Sequence, residues 1–240
     1  MTSYLFVLLV GLVAGVVSGV IGTGSSIMLL PVLVFSFGPK QAVPIMAIAA
    51  VMANLARVAA WWREVDWRAF AAYALPGAPA AALGARTLLI LPPRVIDVAL
   101  GLFFLAMIPG RRWLARRNFT IRLWQLAIIG ALIGFLTGVV LSTGPLSVPA
   151  FTAYGLSMGA FLSTEAASSL ALYVAKVLTF RESGALPLGT ILQGMLVGSS
   201  LMIGAFVAKR FVLHLKPEAF RLIMDGIMIV AGVSLLINAF

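Results

Sequence analysis

The chain has no cysteine, one histidine and seven acidic residues in 240 positions. Without cysteine there can be no disulfide, thiolate metal site or thiol nucleophile. The single histidine, His214, lies in a basic stretch, where it reads as a solvated loop residue rather than a proton relay. The acids are Glu64, Asp66, Asp97, Glu165, Glu182, Glu218 and Asp225, and no spacing among them and His214 makes a metal site. No nucleophile–base pair is present, nor a phosphate-binding loop with its lysine. The sequence therefore implies no cofactor, no enzyme and no ATP-driven machine. Charged residues of both signs make up 10% against 62% hydrophobic, too few to cover a soluble surface.

What the chain does have is apolar length. Runs of spanning or near-spanning size fill 4–21, 25–37, 41–62, 69–89, 94–109, 122–141, 157–180, 187–207 and 217–239. No soluble domain fits between them, and the longest polar stretch, Gly110 to Arg122, reads as a loop. The first run has no basic start, so it reads as a retained segment rather than a signal peptide. The net charge of +10 resembles a nucleic-acid footprint, but the basic residues sit in short loops beside apolar spans, where they set topology. Nucleic acid is therefore not an expected partner. The lipid bilayer is, and a homodimer is left open.

Glycines repeat in the same spacing at an offset of 119: Gly11, Gly15 and Gly19, then Gly130, Gly134 and Gly138. Each trio is followed by a helix-breaking cluster. The first is Gly22-Thr23-Gly24-Ser25-Ser26 with Pro31 beyond; the second is Ser142-Thr143-Gly144-Pro145 with Pro149 beyond. At the same offset Ala47, Ala56 and Val58 match Ala166, Ala175 and Val177, and Arg57 falls opposite Lys176. The pattern divides the chain into two copies of one membrane unit, residues 1–118 and 119–240. Gly/Pro-interrupted apolar segments at matching places in two halves point to a transporter whose broken helices mark the substrate site.

Loop charge bears on topology. With four crossings per repeat, the Lys and Arg residues divide almost evenly between the two faces. With a re-entrant hairpin and three further crossings, Arg63, Arg68, Arg111, Arg112, Arg116, Arg117, Arg122, Lys209, Arg210, Lys216 and Arg221 share one face. Lys40, Arg86, Arg94 and Arg181 share the other. The positive-inside rule prefers the second arrangement and puts the heavily charged face in the cytoplasm. An odd number of crossings inverts the second repeat relative to the first. The expected fold is thus an all-α, multi-pass bundle in the cell inner (plasma) membrane with two inverted repeats.

The break residues Gly22, Thr23, Gly24, Ser25, Ser26, Ser142, Thr143 and Gly144 are candidate substrate contacts. Hydroxyls and free backbone N–H groups at helix N-termini suit an anion. The glycine trios themselves read first as smooth faces for close helix crossing. Asn54, Arg57, Ser168, Ser169, Tyr173 and Lys176, on the spans that follow, complete the candidate set. Arg57 and Lys176 have two readings: attraction of an anion, or snorkelling to the interface. Glu165, an acid inside a span, is either a carrier of a coupled proton or the partner of a nearby Lys or Arg.

These features resemble the sulfite exporter TauE/SafE family of membrane permeases. The resemblance rests on Gly15–Ser26 with Pro31, on Gly134-Phe-Leu-Thr-Gly138 with Ser142-Thr-Gly-Pro145 and Pro149, and on the loop Val65-Asp66-Trp67-Arg68. Gly77…Gly84-Ala85-Arg86 and Gly198…Gly204-Ala205…Lys209-Arg210 extend it over nearly the full length. It implies a secondary transporter of a small anion such as sulfite, sulfoacetate or another organosulfonate, working by alternating access between the two breaks. An anion channel and a membrane assembly factor without transport remain alternatives. The chain departs from the family pattern with Gly24-Ser25-Ser26 where three glycines are common. It departs again with Ile48-Ala49-Ala50 where Thr-Ser is common, although the second copy keeps Ser168-Ser169.

Overall fold

The computed structural model describes residues 2–21, 25–115, 120–140 and 144–211, together with 225–226, 229–230, 232–233 and 236–237. The described residues form α-helices and one short 3-10 turn, with no strand among them. In order these are α1 (Thr2–Ile21), α2 (Ser25–Phe37), α3 (Pro39–Trp61), the 3-10 turn Trp62–Glu64, α4 (Trp67–Ile90), α5 (Pro93–Ala115), α6 (Leu123–Val140), α7 (Gly144–Tyr154), α8 (Met158–Glu182) and α9 (Leu188–Phe211).

The two halves use their helices alike. α1 and α6 precede the breaks, and α2 and α7 follow them. At 13 and 11 residues, α2 and α7 rise only about 20 and 16 Å, short of a hydrocarbon core of about 30 Å. α1, at 20 residues, is long enough to span, so the arms around the first break are unequal. A left-handed glycine turns each short helix into the next long one: Gly38 at φ 76° before α3, and Gly155 at φ 92° before α8. Pro39 then begins α3, where its missing N–H is not needed.

α3 and α8 are the central pair. Residues 42–50 of α3 and 163–168 of α8 are buried without interruption, as expected of helices with protein on every side. They pack on each other, and each takes one long helix of the opposite half: α9 lies on α3, and α4 lies on α8. The outer pairs follow the same exchange, α1 on α9 and α6 on α4.

The glycine trios build those outer pairs. A Cβ at Gly134 would meet the Gly77 backbone, one at Gly130 the backbone of Tyr73, and one at Gly138 the backbone of Ala81, Gly84 and Ala85. In the other half, a Cβ at Gly15 would meet the Leu201 backbone, and one at Gly204 the backbone of Leu12, Gly15 and Val16. Packing is thus the role of these glycines, since backbones this close leave no room for a side chain.

Two expectations need correction. The stretch from Gly110 is not all loop, because α5 continues through Ala115. Arg111, Arg112 and Leu114 are good helix formers that prolong the last turns. α7 was not among the apolar runs: its 11 residues, with Pro145 and Pro149, are too few and too interrupted to stand out by hydropathy. The run 217–239 lies largely outside the described residues, although Gly232 packs closely on Gly101 of α5.

The loop Val65-Asp66-Trp67-Arg68 is an anchored helix start. The Asp66 carboxylate accepts from the backbone N–H of Arg68 and Ala69, both at 3.0 Å, capping α4. The Asp66 N–H donates to Thr164 Oγ1 at 2.9 Å, tying this cap to α8. Next to it, the Glu64 carboxylate occupies the space a side chain at position 159 would need, so Gly159 keeps the first turn of α8 open to it.

Candidate functional site

Polar side chains from α2, α3, α7 and α8 meet inside the bundle. On α8, Glu165, Ser169 and Tyr173 recur every four residues, so they form one stripe, with Ser168 at its edge. On α3, Asn54 and Arg57 are three apart and share a face. The central packing of α3 against α8 brings the stripe and this pair together.

Arg57 Nη1 stands 3.1 Å from Glu165 Oε2, and the Glu165 side chain is 2% exposed. This is an ion-pair contact without the alignment of a hydrogen bond, so both atoms remain buried with no hydrogen-bond partner. Arg57 Nη2 donates to Asn54 Oδ1, and Asn54 Nδ2 donates to the Ala50 carbonyl at 2.7 Å. Among the described residues, Arg57 Nε has no hydrogen-bond partner either.

The other Glu165 oxygen is well supplied. Oε1 accepts from Ser169 Oγ at 2.8 Å and from Ser147 Oγ at 3.0 Å. Ser147, in the first turn of α7, also lies 3.0 Å from the Gly144 carbonyl. Ser26, in the first turn of α2, lies beside the Tyr173 side chain, and Tyr173 in turn lies near Glu165 and Arg57. Ser168 Oγ is buried with no hydrogen-bond partner among the described residues.

A buried polar atom without a partner is costly, and most in native proteins are satisfied. Here, among the described residues, Arg57 Nε and Ser168 Oγ have no partner, and Arg57 Nη1 and Glu165 Oε2 have only each other, as an ion pair. Such a centre offers guanidinium and hydroxyl donors to a small polar guest. The first turns of α2 and α7 both border it. Their partners on α8, Tyr173 and Glu165, are eight residues or about 12 Å apart along the helix.

The structure therefore brings together Ser26, Asn54, Arg57, Glu165, Ser169 and Tyr173, with Ser168 beside them. Ser25 is buried at the start of α2, and Gly144 starts α7. Gly22, Thr23, Gly24, Ser142 and Thr143 lie outside the described residues. Lys176 is not part of the group. It is fully buried, its Nζ donates to the Thr137 carbonyl at 2.7 Å, and it sits 5.5 Å over the Phe180 ring. Thr137 belongs to the C-terminal part of α6, so Lys176 ties α8 to that helix. Neither cation snorkels here: Arg57 is held by Glu165, and Lys176 has no exposure.

Sequence reasoning missed Ser147. Its counterpart at the repeat offset is Met28, so the internal comparison gave no sign of a polar role. Tyr73 of α4, which faces Glu165, was missed for a similar reason: an aromatic in an alanine-rich span reads as core.

Apolar helices packed around a buried charged centre define an all-α integral membrane protein. Three described helical stretches, Gln41–Glu64, Gly159–Glu182 and Leu188–Ala205, meet both the length and the hydropathy of a span. The model of the family described as sulfite exporter TauE/SafE matches residues 7–235, and the chain belongs to that family. Membership of this family makes the protein a membrane transporter of sulfite-like anions. No curated protein and no solved structure gives a match to the chain.

Proposed function

We propose that the protein is a secondary transporter that carries a small sulfur oxyanion or organosulfonate through a site centred on Arg57. The observation that carries this reading is the buried guanidinium, whose Nε has no partner among the described residues and whose Nη1 meets only the Glu165 carboxylate, bordered by the first turns of two short helices. A sulfite or sulfonate group presents several oxygens in a compact pyramid or tetrahedron. A guanidinium edge can engage two of them, and Ser168 Oγ, Asn54 and Tyr173 can complete the shell. Gly22, Thr23, Gly24, Ser25, Ser26, Ser142, Thr143 and Gly144 supply the break linings, where N-terminal N–H groups favour an anion.

The symmetric use of helices supports two repeats, 1–118 and 119–240, and the loop charges support their inversion across a multi-pass inner-membrane topology. Alternating access would then move one half against the other around the α3–α8 pair. Transport of the anion unchanged is the reading that membership of a transporter family supports. A homodimer is compatible with the broad apolar exterior, where Leu75, Leu83, Leu192 and Ile203 are exposed.

The test is uptake in proteoliposomes. Saturable sulfite or sulfoacetate uptake that is accelerated by unlabelled anion inside marks a carrier; flux linear in concentration marks a channel. A thermal-shift screen with the same anions should raise the melting temperature of the purified protein, because a ligand of the native state stabilises it by mass action. Absence of any shift and of any uptake would overturn the proposal and leave an assembly role.

A further inference from the structure

We propose that the anion and one proton occupy the centre together: the anion takes Glu165's place on Arg57, and the released carboxylate is protonated. The inference rests on the reading of this centre as the anion site and names its coupling ion.

Charge neutrality is the physical reason. Among the described residues, the cluster holds one cation, Arg57, and one anion, Glu165, in direct contact. An anion entering this apolar interior would bring the centre to a net charge of minus one, which low-dielectric surroundings penalise strongly. If Glu165 Oε2 gains a proton as Arg57 turns to the guest, the net charge stays at zero. One ion pair is exchanged for another, and no charge is left alone.

The geometry provides for both states. Oε1 is held by Ser147 and Ser169, so the carboxyl keeps its position after losing Arg57. Oε2 is the oxygen without a hydrogen bond, and it is the one facing Arg57, so the proton has an open site there. Asn54 Oδ1 keeps Nη2, which leaves Nε and Nη1 for the guest.

The surrounding groups do not supply the missing charge. Tyr73 of α4 and Tyr173 of α8 face Glu165 as phenols. Glu64 and Asp66 stand at the first turns of α8, against Gly159 and Thr164. Lys176 lies 11 residues along α8 from Glu165, about 16 Å away, and its Nζ is engaged on α6. α7 contributes the Ser147 hydroxyl.

The experiment is titration calorimetry of the purified protein with methanesulfonate, which keeps its charge across neutral pH, in buffers of different ionisation enthalpy. About one proton should be taken up per anion bound. Affinity should rise about tenfold per unit fall in pH while the carboxyl of the free protein is ionised. Glu165→Gln should bind the anion with no proton uptake and no pH dependence, and Glu165→Asp should retain both. Binding by the wild type without proton uptake would overturn the coupling and leave the anion site standing. Failure of both methanesulfonate and sulfite to bind would overturn the site reading itself, and the coupling with it. The wild-type measurement decides the question even where a variant does not fold.

Discussion

Arg57 and Lys176 stand 119 positions apart, at matching places in the glycine pattern, yet their side chains do different work. Arg57 crosses to Glu165 on the opposite central helix, whereas Lys176 reaches back to the end of α6. The difference follows from one acid: the repeat counterpart of Glu165 is Met46, so α3 offers Lys176 no carboxylate. Replacing Arg57 by Gln strands Glu165 in the interior. Loss of one member of a buried pair typically costs about 3–5 kcal/mol, so Arg57→Gln should lower the thermal midpoint clearly. The double variant Arg57→Gln/Glu165→Gln should recover most of that stability but not anion uptake, as a double-mutant cycle in thermal unfolding and transport would show. Lys176→Gln should leave the apparent affinity for the anion unchanged, measured in proteoliposomes at low salt. An equal loss of affinity in both single variants would contradict the separate roles.

Ser26 is the described break residue that touches the cluster, through Tyr173. A phenyl group there would fill the space beside Tyr173. Ser26→Phe is therefore expected to abolish uptake while expression stays normal; uptake near wild type would remove the first break from the site.

Among the elements, the glycine crossings are the most constrained. α4 and α6 approach so closely that Gly134 and Gly77 stack backbone on backbone. Gly134→Ala must push the helices apart, and overpacking of this kind costs about 1–3 kcal/mol. Gly110, near the end of α5, has nothing within 4 Å of a Cβ. Gly110→Ala should be neutral or stabilising by up to about 1 kcal/mol through the lower entropy of the unfolded chain. Melting of the two variants side by side checks the contrast. The break itself was legible in the sequence, because Gly and Pro at matched places interrupt otherwise apolar runs. The second short helix was not, because 11 residues with two prolines carry no periodicity of their own.

For the whole molecule, tryptophan and arginine positions bear on sidedness. The five tryptophans, Trp61, Trp62, Trp67, Trp113 and Trp124, are all exposed and all stand near helix ends. If α3, α4 and α5 each cross the bilayer, chain order places all five on one face, together with Arg63, Arg68, Arg111 and Arg122. Tryptophan favours the headgroup level, and Arg the cytoplasmic side. A reporter in the Arg111–Arg117 stretch should therefore read as cytoplasmic, and one fused after Phe240 as external. A cytoplasmic reading at Phe240 would mean an even number of crossings per repeat and parallel rather than inverted halves.

The sequence by itself determined the membrane class, the helix boundaries of most spans and the family, because composition, apolar run length and glycine spacing are local signals. It also marked Glu165 and Arg57 as unusual, since charge inside a span is expensive wherever it lies. Only the tertiary structure decided that these two residues pair with each other. Their separation of 108 positions holds no pattern, and the contact exists because α3 and α8 pack face to face at the centre. It likewise decided that Ser147 supports Glu165, that Asp66 anchors α4 to Thr164, and that Lys176 stands apart. Side-chain partners across a bundle depend on helix rotation and crossing, which packing of all the helices sets together.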